Sequence, residues 1–338
     1  MRRSIIIRLI NHNEEKAKES DDPFKSALRE SFKNVDSHEI KTAILVSKNL
    51  KPGSHPVIYH IHGGFLVMGH ALFAPFFAKW VDKLALKNDA IIISPDYRLL
   101  PSGNGLQDIL EDVEDGWQWS KNQLPSIMKE KFPGVELDFG WTMLVGGSAG
   151  GYCATQLSIS HPDDFTSLAL VYPLIDIDDR IFTEGPRPDE PNVLRFPNED
   201  ILPKEDTLAW IEKARQTPAS RAGFERTPFA VSACQNGIFA SHLLDPKGLN
   251  KDEFRPLNRI EAGAKLSKSM WIMHGDDDST VHIRASDKFV NLVGDKLPST
   301  SVRYDVVPGE DHGFDFDEKR WQSFEEEALN FATKAWLA

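Results

Sequence analysis

The chain has 338 residues, 41% of them apolar, a formal net charge of −12 and two cysteines. That length and apolar content can build a large core in one extended domain, while the negative balance argues against nucleic acid or an anionic membrane surface as partner. Two cysteines fit a reducing compartment, no stretch reaches the length of a membrane span, and the first residues lack the apolar core of a signal peptide, so a cytosolic location is expected.

Residues 1–38 are charged and helix-prone and read as a segment outside the core, joining a cap or packing on the surface. Residues 56–60 form an apolar strand candidate that runs into His62-Gly63-Gly64-Phe65. Glycines there let the backbone approach a substrate, and the amides of Gly63, Gly64 and Phe65 are candidate donors to a developing oxyanion. His60 and His62 alternate on this strand and its end; the spacing reads as structural rather than as a metal site, with His62 bracing the loop. Phe73, Phe76 and Phe77 follow on a predicted helix and are candidates for a substrate pocket, whereas Trp117 and Trp119 read as core.

The apolar run at 141–145 precedes Gly146-Gly147-Ser148-Ala149-Gly150-Gly151, and 152–159 reads as a helix. A serine between small residues on a strand-to-helix turn is a nucleophile elbow: the turn exposes the hydroxyl and aims the amide of Ala149 at a forming oxyanion. Cys153, on that helix, reads as buried packing. Between residues 173 and 266 the alternating pattern breaks down under several prolines, with helix candidates at 205–215 and 228–244; so long an irregular stretch reads as a lid, and Trp210 within it is a further pocket candidate.

A strand candidate at 267–273 ends in His274-Gly275-Asp276-Asp277-Asp278, and another at 301–307 ends in a loop carrying His312-Gly313. Serine, acid and histidine thus occur in the chain order that such hydrolases use, with His312 as base toward Ser148 and one of three adjacent aspartates as the acid. Neighbouring side chains on one loop rarely converge on an ion, so no metal is expected here.

Taken together these pieces resemble the hormone-sensitive-lipase-like branch of the α/β-hydrolase superfamily, marked by a His-Gly-Gly-Gly loop and a Gly-Asp-Ser-Ala-Gly-Gly elbow. Pro95-Asp96-Tyr97-Arg98-Leu99-Leu100-Pro101 is similar to that family's Tyr-Arg-Leu-Ala-Pro-Glu segment. The resemblance covers residues 39–175 and 266–337. It implies an α/β fold with a mostly parallel central sheet flanked by helices, a core of 39–175 and 266–338, and a helical cap over 176–265. It further implies cofactor-free hydrolysis of carboxylic esters, and the apolar, lid-covered pocket expected here suits a small or medium ester or lactone. In the family the acid stands three residues after a glycine and three before an apolar residue, which selects Asp278 beside Ser148 and His312.

Three departures stand out: Gly147 replaces the family's aspartate, Phe65 its third glycine and Ser102 its glutamate. Phe65 keeps its N–H in place if its φ is negative, with a ring then set beside the acyl site. The His-Gly-Gly-aromatic loop also resembles kynurenine formamidases, which makes amide or formamide cleavage the alternative; a non-catalytic binding protein is a third reading, opposed by the intact set of three residues. A terminal helix at 318–336 is a candidate surface for a homodimer.

Overall fold

Strands that are apolar along their whole length need cover on both faces, which parallel sheets flanked by helices provide. The computed structural model, which describes residues 27–323 and 325–338, is built this way. In chain order its elements are β1 (Leu28–Val35), β2 (His38–Leu45), β3 (Gly53–Ile61), α1 (Lys79–Lys87), β4 (Ile91–Pro95), α2 (Leu106–Asn122), α3 (Leu124–Lys131), β5 (Val135–Gly147), α4 (Ala149–Ser160) and β6 (Ser167–Val171). There follow α5 (Arg180–Thr183), α6 (Lys204–Arg215), α7 (Thr227–Gln235), α8 (Pro256–Glu261), β7 (Ser269–Gly275), α9 (Arg284–Lys296), β8 (Ser301–Val307) and α10 (Glu325–Trp336). The eight strands lie in the order β1-β2-β4-β3-β5-β6-β7-β8, antiparallel at β1/β2 and β2/β4 and parallel elsewhere. This is an α/β-hydrolase fold, as expected.

Successive residues of one strand serve opposite cores. Tyr59 and Ile61 of β3, with Met270 and Ile272 of β7, face the layer holding α2, α4 and α9, whereas Ile58, Trp271 and Met273 face α1 and α10. Trp80, Trp271, Trp321 and Trp336 are fully buried in that second layer. On α2, Leu106, Ile109, Val113 and Trp117 recur at helical spacing and are buried, so Trp117 and, at 6% exposure, Trp119 are core as read. Cys153 and Cys234 are buried free thiols.

Chain order reverses around β3, which has β4 on one side and β5 on the other. At such a switch point the loops leaving the carboxyl ends of two parallel strands diverge and open a crevice. Here those loops are the glycine-bearing segment after β3 and the elbow after β5.

Four local expectations are corrected. Residues 28–35 are a strand, not part of a helix: Leu28 and Phe32 share helical spacing, but pairing with β2 wins, and Lys33 reaches Asp112 and Asp115 on α2 at 2.8 and 2.6 Å. Residues 1–26 lie outside the described residues. The helix expected over 228–244 stops at Gln235, because Gly237 takes φ +63° and a Cβ there would sit 2.9 Å from the carbonyl oxygen of Glu184; a separate π-helical turn covers Ala240–Leu244. The terminal helix begins at Glu325, after a distinct turn at Glu318–Arg320. Finally, the strand read at 141–145 lies within the longer β5, whose buried stretch is 142–146 and whose residues 136–141, Trp141 included, are partly or fully exposed and lack an apolar run.

Candidate active site

Ser148 occupies the turn between β5 and α4 with φ 53° and ψ −123°, a conformation that L-residues adopt only when their surroundings impose it. Its N–H donates to the carbonyl of Val171 at 2.9 Å, and its own carbonyl accepts from the N–H groups of Gly151 and Leu174, each at 2.9 Å. The glycines make the turn feasible. A Cβ on Gly146 would lie 2.3 Å from the carbonyl oxygen of Gly150, and one on Gly150 would lie 2.1 Å from that of Ile61. Gly147 is different: its nearest neighbour to an added Cβ is the Val171 carbonyl oxygen at 3.7 Å, so space exists where the resembling family carries aspartate.

Nε2 of His312 lies 2.9 Å from Oγ of Ser148, and Nδ1 of His312 lies 2.7 Å from Oδ2 of Asp278. The remaining oxygen of Asp278 accepts the N–H groups of Thr280 and Val281 at 2.8 and 2.9 Å. Burial pushes this carboxyl up, but the charge of His312 and hydrogen bonds from His274 and His312 outweigh it and hold Asp278 well below the usual carboxylate range. Asp276 instead accepts the N–H of Gly309 at 2.5 Å, and Asp277 pairs with Arg195 at 2.7 Å. Of the three adjacent acids, therefore, Asp278 is the one beside His312.

Asp311 ties the loops carrying Asp278 and His312 together. Its Oδ1 accepts from the N–H and hydroxyl of Ser279, both at 2.9 Å, and from the N–H of His312 at 2.8 Å, while Oδ2 accepts from Arg195 at 3.0 Å. Nothing in the residue spacing signals this clamp. Tyr172 adds a second contact, its ring centroid 4.2 Å from that of His312.

The loop after β3 carries Gly63, Gly64 and Phe65. None of their N–H groups, nor that of Ala149, has a protein acceptor among the described residues. Phe65 is not at negative φ: it sits at +57°, followed by Leu66 at +62°, so the condition set for a harmless glycine replacement is not met and the loop holds two bulky residues in left-handed backbone. Its surroundings enforce that shape. Met68 and Val67 donate N–H to the Gly64 carbonyl at 2.9 Å, the N–H of Leu100 donates to the Leu66 carbonyl at 2.7 Å, and the Tyr97 hydroxyl donates to the His62 carbonyl at 2.9 Å. The Pro95–Pro101 stretch thus braces this loop, and Arg98, bonded to Asp108 at 2.9 Å and Asp112 at 2.8 Å, anchors the stretch to α2.

The imidazole of His62 stacks on Tyr97 at 4.3 Å and donates from Nδ1 to the Gly63 carbonyl, while Nδ1 of His60 meets the Ser94 hydroxyl at 3.1 Å. Among the described residues no three His, Cys, Asp or Glu side chains are grouped as a metal site.

Ser148 and His312 open onto a cleft of about 670 Å³, part of it open to solvent. Its walls are largely apolar and aromatic: Phe65, Met68, Phe76, Trp80, Tyr172 and Phe316, closed by Leu194 and Thr227 from the segment between β6 and β7. Of the four pocket candidates only Phe76 lines it. The helix expected across residues 73–77 is one 3-10 turn, Ala74–Phe76, with Pro75 inside; Phe73 packs on Phe224 at 5.1 Å, and Phe77 lies in the core against His60 at 4.5 Å. Trp210 stacks on Phe229 at 4.5 Å and is not among the residues lining the cleft. Wall residues missed in the sequence, Trp80, Tyr172, Asp315 and Phe316, come from elements whose only signal was burial or nearness to His312.

Residues 58–222 match the family model described as alpha/beta hydrolase fold. A probable carboxylesterase of a Phoma species is 28% identical over 306 residues, covering 86% of this chain and 91% of that protein. A second, from Cochliobolus lunatus, is 27% identical over 204 residues, covering 57% and 87%. Among solved structures, carboxyl esterase 2 of Tuber melanosporum superposes with a TM-score of 0.59 at 18% identity, covering 94% of this chain and 89% of its own. No helix among the described residues is long and apolar enough to cross a membrane.

Proposed function

We propose that this chain, which has an α/β-hydrolase fold, is a serine carboxylic ester hydrolase acting through an acyl-enzyme. The observation that carries the reading is the hydrogen-bonded sequence Ser148, His312, Asp278 at the mouth of an apolar cleft. Nε2 of His312 takes the hydroxyl proton as Oγ of Ser148 attacks the ester carbonyl carbon. The carbonyl oxygen becomes an oxyanion, received by N–H groups of Gly63, Gly64, Phe65 and Ala149 that have no protein acceptor. Collapse breaks the ester C–O bond, and the imidazolium returns its proton to the departing alkoxide. Water then repeats the sequence on the acyl-serine, releasing the acid and restoring the hydroxyl. Asp278 holds the imidazole with its proton on Nδ1 throughout, and residues 176–265 act as the cap that closes the cleft.

The carboxylesterase relatives favour ester over amide or formamide substrates, and the intact residue set disfavours a non-catalytic binder. A panel of p-nitrophenyl esters of increasing chain length, run beside Ser148→Ala, tests the reading. Native activity that the variant lacks supports it; equal, background rates across the panel reject it.

A further inference from the structure

Two polar side chains in the cleft wall take no part in the steps above. His60 is 5% exposed, and its remaining exposure is to the cleft it lines. The carbonyl of Ala71 has no other donor among the described residues, so the single proton of the Ser94 hydroxyl is assigned to it at 3.3 Å, and the hydroxyl oxygen is left to accept from Nδ1 of His60 at 3.1 Å. That pins the tautomer: Nδ1 carries the proton and Nε2 presents a lone pair. Nε2 has no protein partner among the described residues, yet it is not enclosed as Nε2 of His62 is. Burial lowers the imidazole to about 3, so it stays a neutral acceptor near pH 7. Asp315, in the same wall, is a second acceptor, held by the hydroxyl of Tyr172 and, at 3.2 Å, by Nε1 of Trp80.

An apolar, π-rich cleft whose wall offers an unpaired acceptor is complementary to an aromatic body bearing a donor. We propose that the cleft selects a hydroxyl-bearing aromatic ester, whose hydroxyl donates to Nε2 of His60, with Asp315 reinforcing the acceptor character of that wall. This rests on the ester-hydrolase reading and names its substrate class. His60 is then a specificity-determining residue, and a substrate lacking the donor leaves its nitrogen desolvated and unpaired.

The test uses ethyl benzoates, phenylacetates and phenylpropanoates, and the matching aryl acetates, each carrying a ring hydroxyl, a methoxy group or hydrogen. In at least one series kcat/KM for the hydroxyl compound should exceed its methoxy partner by about tenfold. That ratio should collapse toward one in His60→Phe. Ser94→Ala, a small change that frees the imidazole to move its proton to Nε2, should shift the ratio toward the methoxy compound even if His60→Phe does not fold. Hydrolysis without hydroxyl preference in every series, or a preference unchanged in both variants, overturns the proposal while leaving the esterase reading intact. Absence of any hydrolysis rejects the esterase reading instead; binding of phenol against anisole to Ser148→Ala, followed by NMR, then decides the cleft's preference, and equal or weaker phenol binding overturns it.

Discussion

Oδ2 of Asp278 lies 2.7 Å from Nδ1 of His312 while its other oxygen is occupied by two backbone N–H groups, so the carboxylate is fixed in place before it orients the imidazole. Replacing it by asparagine keeps the size but offers an amide N–H where an acceptor is needed, favouring the wrong tautomer of His312. Asp278→Asn should therefore lower kcat by about 10⁴ with little change in KM, the scale seen when such an acid is neutralised elsewhere. Steady-state kinetics beside thermal unfolding read this; a loss matched by unfolding would mean the role is structural.

Phe65→Gly sets two effects against each other. Relieving left-handed backbone at a non-glycine residue is worth about 1 kcal/mol, but the ring, 8% exposed and packed edge-on to Phe239 at 6.2 Å, contributes on the scale of about 3–5 kcal/mol lost on deleting a buried phenylalanine. Packing wins, so the variant should melt several degrees lower, and the widened cleft should shift preference toward bulkier esters. A rise in melting temperature would show that the strain term dominates.

The elbow glycines should divide sharply. Gly150→Ala drives a Cβ to 2.1 Å from the Ile61 carbonyl oxygen, and only by parting α4 from β3 can the clash be relieved, a cost of about 1–3 kcal/mol or more. Gly147→Ala meets nothing closer than 3.7 Å and should leave the unfolding midpoint nearly unchanged. Similar denaturation midpoints for the two variants would contradict the packing described.

Asp96 accepts the N–H of Ala71 at 2.7 Å through one oxygen, but its other oxygen is enclosed without a partner. Burial raises this carboxyl from 3.8 to about 6, against the opposing pull of Ala71 and of Arg221 and Arg29. A carboxyl raised on folding stabilises the folded state fully below its unfolded pKa, and that contribution is lost as pH rises through the folded value. Native stability should thus decline between about pH 4 and 6 on this account. Asp96→Asn, which keeps the acceptor but not the charge, should remove that decline and gain on the order of 3 kcal/mol at pH 8. Urea midpoints measured from pH 4 to 8 check it; parallel curves for both proteins would refute it.

Sequence alone made the sheet's buried strands, the elbow and the order of serine, acid and histidine legible, because each is written in local signals: apolar runs, obligatory glycines and polar loops at strand ends. The side chains that shape the cleft were not legible. Trp80, Tyr172 and Asp315 reach one wall from α1, the end of β6 and the turn after His312, and no spacing along the chain encodes that convergence. Phe73, Phe77 and Trp210 failed as pocket residues for the converse reason: an aromatic near a motif is as easily claimed by a neighbouring ring as by a cavity. The φ of Phe65 was likewise hidden, since it is imposed by Tyr97 and Leu100 from the next loop.

In the proposed chemistry Ser148 is an activated nucleophile. Folded protein treated with a fluorophosphonate, then digested and mapped by mass spectrometry, puts this to the test. One stoichiometric adduct is expected, on Ser148, strongly slowed in His312→Ala and absent in Ser148→Ala. An unlabelled Ser148 in folded native protein, or labelling as fast without His312, would contradict it.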